Sequence, residues 1–235
     1  MTNEEVNEII EKFKEWFRRT LIPAHIRNTK KLVDLNEFNI NPFLLHYLAN
    51  FLEGNSSPES LAKVLLYPRI LGTSITTSFG TQMQSFVTEW FKDTYGSTTA
   101  GIDIEFVDQI DGRRKYCQLK SGPNSLNKDD IKTIKDHFSA IKHLARTNHM
   151  DIRLTDMVFC MTYGNEGQLN SFIRQLKEDC VVYAGDEFWL HFTGRKDFYD
   201  RLCKAAGDVA NEVDLKRTVD SVVKQLAETI KTAAR

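Results

Sequence analysis

Asp103, Glu105, Gln118 and Lys120 are an acid, a second acid, an amide and an amine on two short β-rich runs. The runs read Gly101-Ile-Asp-Ile-Glu-Phe-Val-Asp108 and Arg114-Lys-Tyr-Cys-Gln-Leu-Lys-Ser-Gly122, joined through Asp111-Gly112. Asp-Gly between two such runs predicts a hairpin with a two-residue type I′ turn. Ile110 then faces Arg113, which sets Asp103 opposite Lys120 and Glu105 opposite Gln118. Side chains alternate along a strand, so all four groups project from one face within cross-strand reach. Carboxylate and amide oxygens are hard ligands suited to Mg²⁺, which takes one or two protein carboxylates, several waters and a phosphate. A metal-bound water is a better nucleophile, and the metal stabilises charge on a phosphoryl oxygen. An amine beside it can orient or deprotonate that water, or offset charge in the transition state. The chemistry such a cluster implies is hydrolysis of a phosphodiester. The same spacing also fits a surface hairpin laced by cross-strand charge pairs.

The neighbouring elements must hold this cluster. Cys117 alternates away from Gln118 and is expected in the core. After the polar loop Ser121–Asn127, a helix is predicted from about Lys128 to Arg146. Its Ile131, Ile134, Phe138, Ile141 and Ala145 recur at helical spacing and should pack on the sheet. Lys128, Lys132, Lys135, Lys142 and Arg146 repeat beside them as a basic stripe, which suits a phosphate backbone or a solvated helix face. A helix over residues 79–94 precedes the hairpin and carries Glu89 off its apolar side. Further helices are predicted at 4–20, with Pro23 ending it or lying just past its end, at 42–53 and from Ser57 or Pro58 to about 66, with an irregular hydroxyl-rich connection over 67–78. Beyond the hairpin come a strand at 154–163, a helix at 166–178, a strand at 180–184, a helix at 186–193 and a C-terminal helix at 209–234. The order predicts an α/β fold, a mixed β-sheet flanked by helices. Residues 1–78 are expected to form a helical layer on a core spanning 79–235.

Asp103 followed by Gln118-Leu-Lys120 resembles the PD-(D/E)XK nuclease motif, with Gln in place of the second acid and no Pro before Asp103. Further blocks extend the likeness: Asn41-Pro42-Phe43, Leu66-Tyr-Pro-Arg-Ile-Leu-Gly72, Tyr116-Cys-Gln-Leu-Lys-Ser-Gly-Pro-Asn124, Tyr163-Gly-Asn165 and Val182-Tyr-Ala-Gly-Asp-Glu-Phe-Trp189. Together they look like the PmeII-type family of type II restriction endonucleases, whose relatives include enzymes that cut interrupted GGNCC-like palindromes. The resemblance implies a restriction-endonuclease-like fold and Mg²⁺-dependent cleavage of double-stranded DNA at a short palindrome. It also implies a homodimer paired functionally with a DNA methyltransferase. It assigns Asp103, Gln118 and Lys120 to catalysis, Asp103 and Gln118 to the metal, and Glu105 or Glu89 to completing the metal shell. Whether Gln118 ligates directly or through water stays open. Arg113, Arg114, Lys128, Lys132 and Lys135 are expected on phosphates. Asn124, Asn127 and Asn165 are expected at base edges.

Composition narrows the alternatives. The 235 residues carry 31 Lys and Arg against 32 Asp and Glu, a net charge of −1, so a general nucleic-acid coat is excluded while a local grip on DNA is not. Residues 112–146 hold nine Lys and Arg against three Asp, a local excess of six. No apolar run of about 18 residues predicts a membrane span. The start Met-Thr-Asn-Glu-Glu is unlike a signal peptide, and four scattered Cys suit buried thiols in a reducing cytoplasm. No P-loop and no His-Glu-x-x-His spacing are present. Two alternatives remain on the same scaffold: a structure-specific or repair nuclease, and an inactive DNA-binding protein, the latter suggested by Gln118.

Overall fold

A five-stranded mixed sheet organises the chain, and its central strand carries Gln118 and Lys120. The computed structural model describes residues 1–91, 94–96, 99–212 and 214–233. The strands are β1 (Thr94–Gly96), β2 (Ile104–Val107), β3 (Arg114–Lys120), β4 (Met157–Met161) and β5 (Val181–Ala184), side by side in that order. β1, β2 and β3 run antiparallel, whereas β3, β4 and β5 run parallel. The helices, in chain order, are α1 (Asn3–Trp16), α2 (Ile22–Lys31), α3 (Pro42–Glu53), α4 (Pro58–Pro68), α5 (Ile75–Trp90), α6 (Lys128–Thr147), α7 (Ser171–Leu176), α8 (Asp186–Thr193), α9 (Phe198–Glu212) and α10 (Leu215–Ala233). Parallel neighbours need crossovers, and α6 and α7 supply them. The α/β restriction-endonuclease-like fold expected from the sequence is the one observed.

The chain divides into two compact units, one of residues 1–13 with 80–205, the other of 14–79 with 206–235. In the first, Ile131, Ile134, Phe138 and Ile141 of α6 pack on Tyr116, Met157, Phe159 and Met161 of the sheet. The α6 start is fixed by a capping box: Asn127 Oδ1 accepts from the Asp129 and Asp130 N–H groups (2.8 and 3.0 Å), and Asp130 accepts from the Asn127 N–H (2.9 Å). The opposite sheet face buries aromatics, with Phe106 5.0 Å from Phe192 between ring centres. Trp189 Nε1 donates to the Thr162 carbonyl (2.9 Å). Cys117, Cys160 and Cys180 are buried free thiols, and burial pushes Cys180 up to about 12, while Cys203 is exposed.

The second unit is helical. Val222, Val223 and Leu226 of α10 join Leu32, Ala62, Leu66 and Ile70 in its core, with Val219 and Ile230 at the margin. These residues recur at helical spacing and form a core face, but the C-terminal region, expected as one helix at 209–234, forms two helices, α9 and α10. Pro23 does not end the first helical run: a π-helical turn over Phe17–Leu21 precedes it, and Pro23 sits in the first turn of α2, where a missing N–H is harmless. Likewise 67–78 is helical, because a second π-turn over Arg69–Ser74 follows Pro68. Its hydroxyls bond back along the helix, Thr76 to the Gly72 carbonyl (2.7 Å) and Ser78 to that of Ser74 (3.0 Å).

The hairpin register differs from the expected one. The Asp108 N–H donates to the Arg113 carbonyl (2.9 Å) and the Gly112 N–H to that of Asp108 (2.9 Å), leaving a four-residue loop closed by Gly112 at φ 69°. The Asp108 and Asp111 carboxylates accept from the Ile110 and Arg113 N–H groups (2.8 and 2.9 Å), and this local bonding displaces the two-residue turn. Buried Lys115 locks the loop through Asp111 (2.5 Å) and the Thr155 carbonyl (3.0 Å). Ile104 pairs with Cys117 and Glu105 with Tyr116, so Asp103 does not oppose Lys120, nor Glu105 Gln118. A slide of two residues preserves faces, which keeps Glu105, Gln118 and Lys120 on one side of the sheet.

Candidate active site

β2 ends its regular pairing just where chemistry is expected. The Asp103 N–H reaches the Cys117 carbonyl (3.0 Å), which lies opposite the next residue, Ile104. Asp103 thus departs from the ladder. Its Oδ2 accepts from the Leu119 N–H (2.8 Å), a donor facing the place where β2 has run out. The carboxylate is fixed against the backbone between Gln118 and Lys120. Gln118 is buried, and its Nε2 donates to Nδ1 of His137 on α6 (3.2 Å). With that nitrogen engaged, the amide oxygen is what Gln118 can offer a cation. The His137 ring in turn excludes a side chain at position 101: Gly101 has φ 84°, and a Cβ there would lie 2.3 Å from the ring. Lys120 is half-buried on the same face, at the end of β3.

One carboxylate and one amide oxygen fit Mg²⁺, which keeps most of its waters and binds phosphate oxygens as well. Among the described residues, no group of three or more His, Cys, Asp and Glu is arranged to hold a metal. Glu105 is buried opposite Tyr116 and ion-paired to Arg114 Nε (2.8 Å). Glu89 is exposed on α5.

The family described as Type II restriction endonuclease EcoO109I matches residues 5–214. The chain belongs to that family. None of the curated proteins matches it. A type II restriction endonuclease is a nuclease acting on DNA, and enzymes of this kind generally use a divalent metal. The oxygen donors of Asp103 and Gln118 at the end of β3 are of the type such a metal takes.

The restriction endonuclease's basic residues separate into two groups. Arg113 was expected on phosphate, but its guanidinium is closed by Asp156 (2.8 and 2.5 Å) and Asp151 (3.2 Å), which raises its pKa further. It staples the hairpin to the segment before β4. Lys135 is ion-paired to Asp179 (2.8 Å). Lys128 and Lys132 are exposed on the first turns of α6, and Arg114 is half-exposed beside Glu105. Asn124 is exposed on the loop after β3. Asn127 is committed to capping α6, and the Asn165 N–H bonds Gln168 Oε1 (3.2 Å) in an exposed turn.

Sequence reasoning missed two features of the nuclease core. One is the His137–Gln118 bond; the only signal was His137 bordering the apolar stripe of α6. The other is the buried charge cluster on the far side of the sheet. There Lys115 also approaches Asp108 and Asp156 (3.7 Å each), and His191 Nδ1 bonds Asp108 (2.8 Å) beneath a stacked Tyr183. Burial raises the Asp108 carboxyl, but the His191 bond and the Ile110 N–H outweigh it and hold it low. Asp156 is likewise low, since Arg113 and the Arg153 N–H outweigh its burial.

Proposed function

We propose that this restriction endonuclease is a Mg²⁺-dependent homodimer that hydrolyses both strands of double-stranded DNA at a short palindrome. We further infer that it belongs to the PmeII-type branch and works in the cytoplasm beside a protecting methyltransferase. GGNCC-like interrupted palindromes are the first sites to screen. The observation that carries the reading is the anchoring of the Asp103 carboxylate to the Leu119 N–H, between Gln118 and Lys120 on the adjoining strand. Asp103 and the Gln118 oxygen would hold Mg²⁺, which when bound polarises the phosphate and acidifies water. Lys120 orients the attacking water and accepts its proton as the water oxygen bonds phosphorus. The bond from phosphorus to the leaving sugar oxygen breaks, and that oxygen takes up a proton. Lys128, Lys132 and Arg114 neutralise flanking phosphates. Asn124 and Asn165, on exposed loops, are the side chains proposed to read bases.

Digestion of unmethylated plasmid DNA tests this, with an EDTA control and Lys120→Ala alongside. Discrete fragments lost in both controls are expected. A smear, or cutting confined to junctions, would favour a structure-specific nuclease; binding without cleavage under Mg²⁺ or Mn²⁺ would favour an inactive DNA-binding protein.

A further inference from the structure

The loops that leave β3 and β4 meet at Gly122 and Tyr163, just past Lys120. The Thr162 N–H donates to the Lys120 carbonyl (3.1 Å) and the Tyr163 N–H to that of Ser121 (3.1 Å), which pins the Tyr163 backbone beside the end of β3. Its ring fills the space that a side chain at 122 would take. A Cβ on Gly122 would collide with Cζ, the ring carbon that bears the hydroxyl, and would lie 2.5 and 2.6 Å from the two Cε atoms. The φ of Gly122 lies outside the left-handed region, so the backbone there does not call for glycine. The missing side chain makes room for the ring. The seat itself is held: the Gly122 carbonyl accepts from the Ser125 N–H (3.2 Å) and Oγ (2.5 Å), and the Pro123 carbonyl from Asn170 Nδ2 (3.2 Å). A ring recruited for packing alone would be covered, yet Tyr163 is 38% exposed.

We propose that the Tyr163 hydroxyl donates a hydrogen bond to a phosphate oxygen of the DNA strand held at Lys120, and that Gly122 is the seat that aims it. Two residues of chain separate Gly122 from Lys120, a span of at most ~7 Å, so the hydroxyl end of the ring sits within a short reach of that lysine. A phenol is a neutral donor of the kind that fixes a nucleic-acid backbone in register without reading its bases. Lys128 and Lys132 attract the strand by charge from any direction, whereas a seated hydroxyl accepts it in one direction only. The pinned backbone, the bare glycine and the held loop all reduce the freedom of that hydroxyl before DNA arrives, which lowers the ordering cost of the contact. The inference rests on the proposed placement of DNA at Lys120.

Fluorescence anisotropy of the full chain with a fluorescein-labelled, mixed-sequence duplex in EDTA tests this, because a phosphate contact needs neither cleavage nor the recognised bases. Tyr163→Phe removes only the hydroxyl. Gly122→Ala displaces the ring through its movable far end, so both variants should keep the wild-type melt. Each should weaken binding ~10–100-fold, the range for one hydrogen bond to a charged group. The double variant should bind no more weakly than either single one, since both changes remove the same contact. The salt dependence should keep its wild-type slope in Tyr163→Phe, because a neutral donor releases no counterion. Binding by Tyr163→Phe within about twofold of wild type overturns the proposal; if Tyr163→Ala alone then weakens binding, the ring and not the hydroxyl is what DNA meets. Additive losses in the double variant overturn it too, as does a slope lowered by about one unit in Tyr163→Phe. The nuclease reading fails separately: a wild type that binds the duplex through Tyr163 yet leaves plasmid DNA uncut in Mg²⁺ keeps the contact, and a Tyr163→Phe variant that binds and cuts as wild type keeps only the nuclease.

Discussion

Replacing Asp103 by Asn and by Ala separates the two jobs this side chain holds. Its Oδ2 accepts the Leu119 N–H at 2.8 Å, a structural bond, and its charge is the one proposed to hold Mg²⁺. Asn keeps an acceptor of the same shape and loses the charge. Ala loses both and strands a donor on a residue whose side chain is buried, costing about 1–3 kcal/mol, with the low end favoured because Asp103 is half-exposed and water can reach the gap. For a chain of this length about 1 kcal/mol moves the melting temperature by roughly 2–4 °C. The Ala variant should therefore melt ~2–6 °C lower, while the Asn variant stays within about 1–2 °C of wild type. Cleavage should behave otherwise, falling by at least roughly 100-fold in both, the size of loss seen when one electrostatic partner of a transition state is removed. The assay pairs thermal melts in EDTA with initial cleavage rates in Mg²⁺. Asn at 103 with cleavage within tenfold of wild type would refute the metal role, and an Ala variant melting with wild type would refute the anchoring bond.

Three further outcomes follow from the geometry. Asp108 and Asp156 have carboxyls held below their ordinary values, so their contribution to stability is complete above about pH 4 and lost as pH falls through the lowered values; Asp156→Asn should melt lower at neutral pH and show a flatter melting curve in acid, and parallel wild-type and variant curves would contradict this. Lys128→Ala and Lys132→Ala should each reduce the salt dependence of DNA binding by about one unit of slope, whereas Lys135→Ala, already paired to Asp179, should change it less; equal effects from all three would remove the distinction. Gln118→Glu replaces the donor facing His137 and adds a second acid near Asp103, so it should melt lower than wild type in EDTA yet gain more from added Mg²⁺; an equal Mg²⁺-induced shift in both proteins would argue against Gln118 as a ligand.

Periodicity made parts of the fold legible. The five apolar positions of α6 are buried because a 3.6-residue repeat has one way to meet a sheet. The helical spacing of Val219, Val222, Val223, Leu226 and Ile230 in α10 marks a buried face but not its partner, which is the core of the helical unit. The two prolines misled because each sits in or beside a π-turn, whose wider bonding absorbs a missing N–H. The hairpin register failed for a different reason. Asp-Gly signalled the turn, but Asp108 and Asp111 also bond the loop backbone, and a buried lysine on the next strand holds them there. Such a lysine reads in sequence as one more surface charge.

That lysine also engages two carboxylates of the acid-rich stretch 103–111, and other cations engage its neighbours. Asp108 is tied to His191 and faces Lys115, Asp111 is tied to Lys115, and Glu105 is tied to Arg114. Each carboxylate is matched to a cation that the fold needs for its hairpin or sheet. The Asp103 carboxylate also accepts the Leu119 N–H, which fixes its position between Gln118 and Lys120. Gln118 makes sense in the same terms. A second carboxylate there would sit buried beside Asp103 and repel it whenever the metal was absent, while an amide pinned by His137 presents an oxygen without that penalty. On the proposed reading, the substitution that makes the motif look incomplete in sequence lets the site keep its shape before Mg²⁺ binds.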